Sequence, residues 1–273
     1  ISLVSSVLPG TRMGLGLGLM QVAVFLGMSV GPWIGGMIAD IIGYRLTFIA
    51  GGVILLVGGL LVLIGAKEIF IRPSAESLKQ GGSMKSLFTM PGFISLLVVF
   101  FIFHFSINIA IPILPLFIEE VGHLKTRVAS TTGLLLAVSG ATACISAAAI
   151  GYLSDRKGHK KVLVVNLFIT SLMWIAHALS RNISQLLVVR ILFGFAAGGN
   201  LPTMNALVGK LTPRESYGKA YGLTASMTSL GMTLGPLFGG IMASYAGLRW
   251  PFVIVSFLLS FIIIPIILRV KVQ

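Results

Sequence analysis

Residues 27–48 read GMSVGPWIGGMIADIIGYRLTF, and residues 231–252 read GMTLGPLFGGIMASYAGLRWPF, the same phrase 204 positions later. Ten of the 22 positions are identical: Gly27, Met28, Gly31, Pro32, Gly35, Gly36, Ala39, Gly43, Arg45 and Phe48, each with a partner at that offset. The match runs back through Gly18 and Gly222 and through Pro9 and Pro213. A repeat of this kind marks a duplicated structural unit. Both copies lie in uncharged apolar runs, Met13–Ala39 and Ala220–Leu248. Six more such runs follow the same pattern: Leu46–Ala66, Ser86–Ile118, Val128–Ser154, Val162–Ser180, Ile191–Gly209 and Trp250–Leu268. Each is near or above the roughly 20 residues that a helix needs to cross the hydrocarbon layer. They give eight candidate spans, lettered a to h. An open sheet would leave backbone groups unpaired in lipid, and barrel strands would alternate instead of running continuously apolar. The fold class is therefore an all-α membrane protein.

Composition agrees. The 273 residues are 56% hydrophobic and 10% charged, against about 25% charged in an average soluble domain. The net charge of +13 reports topology. Lys67, Arg72, Lys79, Lys85, Arg156, Lys157, Lys160, Lys161, Lys210, Arg214, Lys219, Arg269, Lys271 and Arg12 fall on one side of the membrane. Arg45, Lys125, Arg127, Arg181 and Arg249 fall on the other. The richer side is expected in the cytoplasm, which places the linker 67–90 and the loop 154–161 there. A nucleic-acid partner is not expected, because no basic, aromatic surface outside the lipid is long enough to hold one. Cys144 stands alone in mid-span, so it forms no internal disulfide and reads as a small packing residue.

Three segments follow. Residues 1–66 hold spans a and b after a short apolar start, residues 67–90 are a polar linker with Pro73, Gly81 and Gly82, and residues 91–273 hold spans c to h. Spans a and b repeat spans g and h. If the halves are equivalent, the first should also have six spans, which predicts a twelve-span parent of which this chain is an N-terminally truncated part. Parallel repeats of this kind are a transporter architecture.

Span a carries Gly18, Gly27, Gly31, Pro32, Gly35 and Gly36; span g carries Gly222, Gly231, Gly235, Pro236, Gly239 and Gly240 in the same spacing. Gly27, Gly31 and Gly35 are four apart and share a helix face, which lets a second helix approach closely. Pro32 removes a ladder hydrogen bond and bends the helix. This pattern resembles motif C of the major facilitator superfamily, in its drug:proton antiporter branch. The resemblance implies a major-facilitator-type bundle in which spans a to h are helices five to twelve. Residues 1–66 would then hold the end of helix four with helices five and six, and 91–273 the C-terminal six-helix bundle. It also implies that span a packs on span d. The second copy, in span g, would lack its partner, helix two, and present an open small-residue face.

The loop between spans d and e reads Gly151-Tyr-Leu-Ser-Asp155-Arg156-Lys-Gly158-His-Lys160-Lys161. It sets one carboxylate in a basic cluster, with glycines that allow a tight turn. It is similar to motif A of the same superfamily in its second-half copy, through Gly151, Asp155, Arg156, Gly158 and Lys160. The resemblance implies a gate latch in which Asp155 meets the cytoplasmic end of span a around Arg12–Gly18. Arg190 and Gly194 in span f resemble motif B. Arg190 reads either as a functional intramembrane charge or as a side chain snorkelling to the surface.

Gln21, His104, Asn108, Asn200 and Asn205 are polar at membrane depth and are the candidate cavity residues; interhelical hydrogen bonding is the plainer reading of each. His104 titrates near neutral pH when unperturbed, which makes it a candidate proton carrier. Pro112 and Pro115 should bend span c just beyond it. The carboxylates Asp40, Glu68, Glu76, Glu119, Glu120, Asp155 and Glu215 all lie at span ends or in loops. There is no HExxH, GxSxG or Walker sequence. Gly14-x-Gly16-x-Gly18 has no strand before it, so no nucleotide loop is read there. No catalytic residues, metal site or cofactor are expected, and the chain is not read as an enzyme.

The resemblance implies a multi-pass plasma-membrane transporter that exports small lipophilic compounds or drugs by alternating access. A proton gradient would drive it, with protons, the small-molecule substrate and the lipid bilayer as partners and no obligatory protein partner. The alternatives are uptake or passive facilitation of sugars or organic anions, or a fragment that does not transport by itself.

Overall fold

The computed structural model describes residues 27, 30–65, 84–213 and 216–270. Gly18, Gln21, Arg12 and most of the 67–90 linker lie outside the described residues. The chain divides into two compact units, Ile1–Ala75 with Lys125–Ala137, and Glu76–Leu124 with Val138–Gln273.

The first unit contains α1 (Val30–Ile42), α2 (Tyr44–Gly65) and the opening turns of a long helix, α6 (Val128–Lys157). Gly43 separates α1 from α2 with φ 83°, a left-handed backbone that glycine adopts without strain, and its N–H closes on the Ala39 carbonyl at 3.0 Å. Its repeat partner does the same: Gly247 has φ 95° and donates to the Ala243 carbonyl at 3.0 Å. The duplicated sequence thus builds a duplicated helix stop. α2 is apolar nearly throughout its length, and none of its residues is buried among the described residues.

The second unit begins with α3 (Met84–Thr89), then α4 (Phe93–Ala110), a 3-10 turn at Ile111–Ile113 and α5 (Leu114–Gly122). Pro112 and Pro115 make that break, since neither can donate to the helical ladder. After the rest of α6 come α7 (His159–Leu179), α8 (Ile183–Ala197), α9 (Asn200–Leu211), α10 (Tyr217–Ala246), α11 (Trp250–Phe261) and α12 (Ile263–Arg269). Gly158 alone joins α6 to α7, with φ 93°. Asn182 caps α8 by accepting from the Gln185 N–H at 2.8 Å, and the Gln185 side chain accepts from the Arg181 N–H at 2.9 Å, a reciprocal cap.

Among the described residues six helical stretches are long and apolar enough to cross a membrane: 44–65, 93–122, 128–157, 159–179, 183–211 and 250–269. They account for spans b to f and h. Span a is described only from Gly27 onward, apart from residues 28 and 29. Span g is the 30-residue α10, whose glycine, serine and threonine make it less apolar than the six. The core of the second unit gathers around α7. Trp174 packs at 4.9 Å on Phe193 and 5.9 Å on Phe252, and Phe252 lies 4.9 Å from Phe117. Cys144 does not pack into this core; it stands exposed on α6. The sequence reading misplaced it because α6 has no strongly one-sided pattern to show which face turns inward.

Candidate gating contacts and buried polar helices

In the first unit α1 meets the start of α6 with almost no space between backbones. A Cβ at Gly36 would fall on the Ala129 carbonyl, and a Cβ at Gly133 on the Pro32 carbonyl. The last turn of α1 adds a polar clasp: Asp40 Oδ2 accepts from the Ser130 N–H at 2.8 Å. The carboxylate therefore sits at the N-terminus of α6, where free N–H groups and the helix dipole favour an anion. Burial works against ionisation there, but the hydrogen bonds from Ser130 and Ala129 and the nearby Arg127 charge outweigh it and hold the Asp40 pKa below its ordinary value. The expected face is not the one used. Gly27, Gly31 and Gly35 have nothing within 4 Å among the described residues, and the close approach runs through Pro32, Trp33 and Gly36.

The second copy of the motif corrects a sequence expectation. Its face is not open: Gly231, Gly235 and Gly239 are buried against α4. A Cβ at Gly231 would lie 2.7 Å from the Phe101 carbonyl oxygen, one at Gly235 2.7 Å from Asn108 Cβ, and one at Gly239 on the Ile109 carbonyl. Spacing announces that a helix comes close, and α4 within the same bundle fills that place. Gly222 and Gly240 have nothing within 4 Å, and Pro236 is exposed.

The same contact positions two candidate cavity residues. His104 Nδ1 lies 3.0 Å from the Phe100 carbonyl and 3.4 Å from the Thr228 hydroxyl of α10. Asn108 donates to the His104 carbonyl at 2.8 Å. Both are half-buried at the α4–α10 seam. Asn200 belongs elsewhere. It is fully buried, accepts from Asn166 Nδ2 at 3.0 Å and donates to Thr170 Oγ1 at 3.0 Å. Thr170 in turn donates to the Asn166 carbonyl at 2.7 Å. The Asn200 amide is thus committed to bonding α9 to α7. Among the described residues no hydrogen bond joins this network to the His104 pair. The carbonyl of Asn205 accepts from the Tyr221 hydroxyl at 3.1 Å. Sequence reasoning missed Asn166 and Thr170, although two polar residues four apart in an apolar run were a signal of one inward helix face.

Arg190 does not snorkel. It is 4% exposed, with its guanidinium 5.8 Å from the Trp174 ring centre and 5.5 Å from that of Phe193. Among the described residues its Nε, His177 Nε2 and Trp174 Nε1 have no hydrogen-bond partner. Gly194, one turn on, seats α8 against α6: a Cβ there would strike Thr142 Oγ1, and Ser146 donates to the Gly194 carbonyl at 3.3 Å.

In the loop resembling motif A, Asp155 is 74% exposed, and its Oδ1 lies 3.6 Å from Nε2 of the buried His159. His159 Nδ1 meets Ser154 Oγ at 3.0 Å. Arg156 lies over the Tyr152 ring at 4.5 Å, and Lys160 donates to the Ile267 carbonyl at 2.8 Å. Gly151 has open space around it. The expected partner of Asp155, around Arg12–Gly18, lies outside the described residues. Among the described residues no three His, Cys, Asp or Glu side chains gather as a metal ion would require.

Spanning helices, a duplicated helix pair and polar groups satisfied between helices define a polytopic α-helical membrane protein built on an internal repeat. The description Major Facilitator Superfamily matches residues 1–130 and again residues 96–272. The chain belongs to that superfamily and is a multi-pass protein of the plasma membrane. It is 31% identical over 264 residues to the uncharacterized MFS-type transporter YuxJ of Bacillus subtilis, covering 94% of this chain and 66% of that one. It is 29% identical over 264 residues to the multi-drug resistance efflux pump PmrA of Streptococcus pneumoniae, covering 95% and 65%. It is 28% identical over 261 residues to the multidrug resistance protein MdtG of Dickeya zeae, covering 93% and 63%. The chain thus spans slightly less than two thirds of the length of these relatives. Its fold is also that of a bacterial homolog of the human lysosomal transporter Spinster, solved inward-facing and unoccupied, with a TM-score of 0.74 at 16% identity over 98% of this chain and 72% of that one.

Proposed function

We propose that the chain works in secondary active transport, exporting small lipophilic compounds by alternating access while protons move the other way. The observation that carries this reading is the duplicated glycine phrase. One copy holds α1 backbone-close to the start of α6, and the other holds α10 backbone-close to α4. Close small-residue seams let helices pack tightly without large side chains to interdigitate. Repeats of this kind are the framework on which halves of a carrier rock around a midplane site. The relatives named for multidrug efflux support the choice of cargo. In this reading the α1–α6 seam with Asp40 seals the outer side, and Asp155 in its basic loop latches the inner side. His104, beside Thr228, serves as a proton carrier at the α4–α10 seam.

The gene that encodes these residues, expressed in a host lacking its own efflux pumps, should lower accumulation of the lipophilic dye ethidium. A protonophore should restore it. Asp155→Asn should weaken export without changing the amount of protein in the membrane. Unchanged dye accumulation, or export indifferent to the protonophore, would sink the reading. The second result would point instead to passive facilitation.

A further inference from the structure

A groove of about 570 Å³ runs along the second unit between the C-terminal half of α6, α7 and α8. Leu153 comes from α6, Val165 and Ile169 from α7, and Leu192 and Phe195 from α8. Lys157, at the end of α6, and Lys161, near the start of α7, line it beside the short α6–α7 joint, and Met173 lines it about three turns further along α7. The polar group in the wall besides these lysines is Asn166, and its amide donates to Asn200. The groove therefore offers hydrocarbon along its length and positive charge at a single end.

That polarity matches one class of occupant. We propose that the groove binds one anionic phospholipid, with an acyl chain along α7 and the headgroup phosphate between Lys157 and Lys161. The lengths agree. From Lys161 to Met173 is twelve residues of helix, about 18 Å at 1.5 Å per residue, and one leaflet of a bilayer core is about 15 Å deep. The charges are available as well. Lys160 is committed to the Ile267 carbonyl, whereas Lys157 and Lys161 are exposed and make no hydrogen bond or ion pair among the described residues. Asp155 does not line the groove; its carboxylate faces His159. A lipophilic cation would meet two like charges at the mouth, which sets this site apart from a path for cationic cargo. Val165, Ile169, Leu192 and Phe195 are all exposed, as walls open to the bilayer must be. The lipid assignment depends on the membrane fold and is independent of the export reading.

Each lysine near a membrane surface favours an anionic lipid by roughly fivefold. Native mass spectrometry of the purified chain, offered equal phosphatidylglycerol and phosphatidylcholine, reads this directly. The expected result is a single retained phosphatidylglycerol, preferred by roughly twentyfold. K157Q combined with K161Q should abolish the preference, and K125Q combined with R181Q, which removes the same charge elsewhere, should keep it. Val165→Trp, an exposed wall position, should reduce retention of both lipids. Equal retention of the two lipids by the unaltered chain would overturn the proposal. So would a preference that survives K157Q/K161Q, or competition by inorganic phosphate alone at the concentration of the lipid. None of these outcomes requires transport, so they leave the export assay to stand or fall separately.

Discussion

Asp40 illustrates how one side chain can hold two distant stretches of sequence together. It lies in the last turn of α1, yet it caps α6 ninety residues later through the Ser130 N–H. Because its folded-state pKa is depressed below the ordinary 3.8, the clasp contributes fully above that value and is lost as pH falls through the folded-state pKa. Thermal unfolding in detergent should show this: the midpoint should drop on acidification below the ordinary carboxylate range, and Asp40→Asn should lower it at neutral pH while removing that part of the pH dependence. An Asp40→Asn chain with the same acid response as the original would refute the clasp. Asp40 was legible in the sequence as an acid at an outer span end. Its partner was not, because a contact across ninety residues leaves no local pattern in either segment.

At the scale of elements, the seam between α10 and α4 depends on where bulk is absent. Gly239→Leu would drive a side chain into the Ile109 carbonyl, whereas Gly240→Leu enters open space one residue away. Overpacking of that kind costs about 1–3 kcal/mol, while the exposed substitution should stay within about 0.5 kcal/mol. Thermal midpoints of the two variants measured side by side decide it, and equal shifts would show that the seam does not govern stability. The repeated glycines and the break at Pro112 were readable in advance, since each follows from backbone chemistry at the residue itself. The partner of α10 was not. A stripe of small residues specifies a close neighbour without saying which one, and that choice depends on the order in which the helices return through the bundle. Asn166 and Thr170 were hidden for a related reason: a polar side chain in an apolar run looks the same from sequence whether it faces a cavity or another amide.

For the whole molecule, the distribution of Lys and Arg makes a claim about sidedness. With Cys144 replaced by Ala, a single cysteine at Lys125 should react with a membrane-impermeant maleimide added to intact cells. One at Lys210 should react only after the membrane is opened. The reverse pattern would invert the assigned topology and with it the roles given to Asp40 and Asp155. The helical class and most spans could be read from hydropathy, because lipid tolerates so few backbone solutions. How the residues of the site group together emerged only from three-dimensional packing. One joint has a mechanical corollary. Gly158 is the sole residue between α6 and α7, and Lys160 just beyond it grips the end of α12. A connection with no slack behaves like a stiff coupling on a shaft: twist applied to the end of α6 is passed on to its neighbours and is not absorbed by a loop, so a few inserted residues there would let one helix turn while the others stayed still.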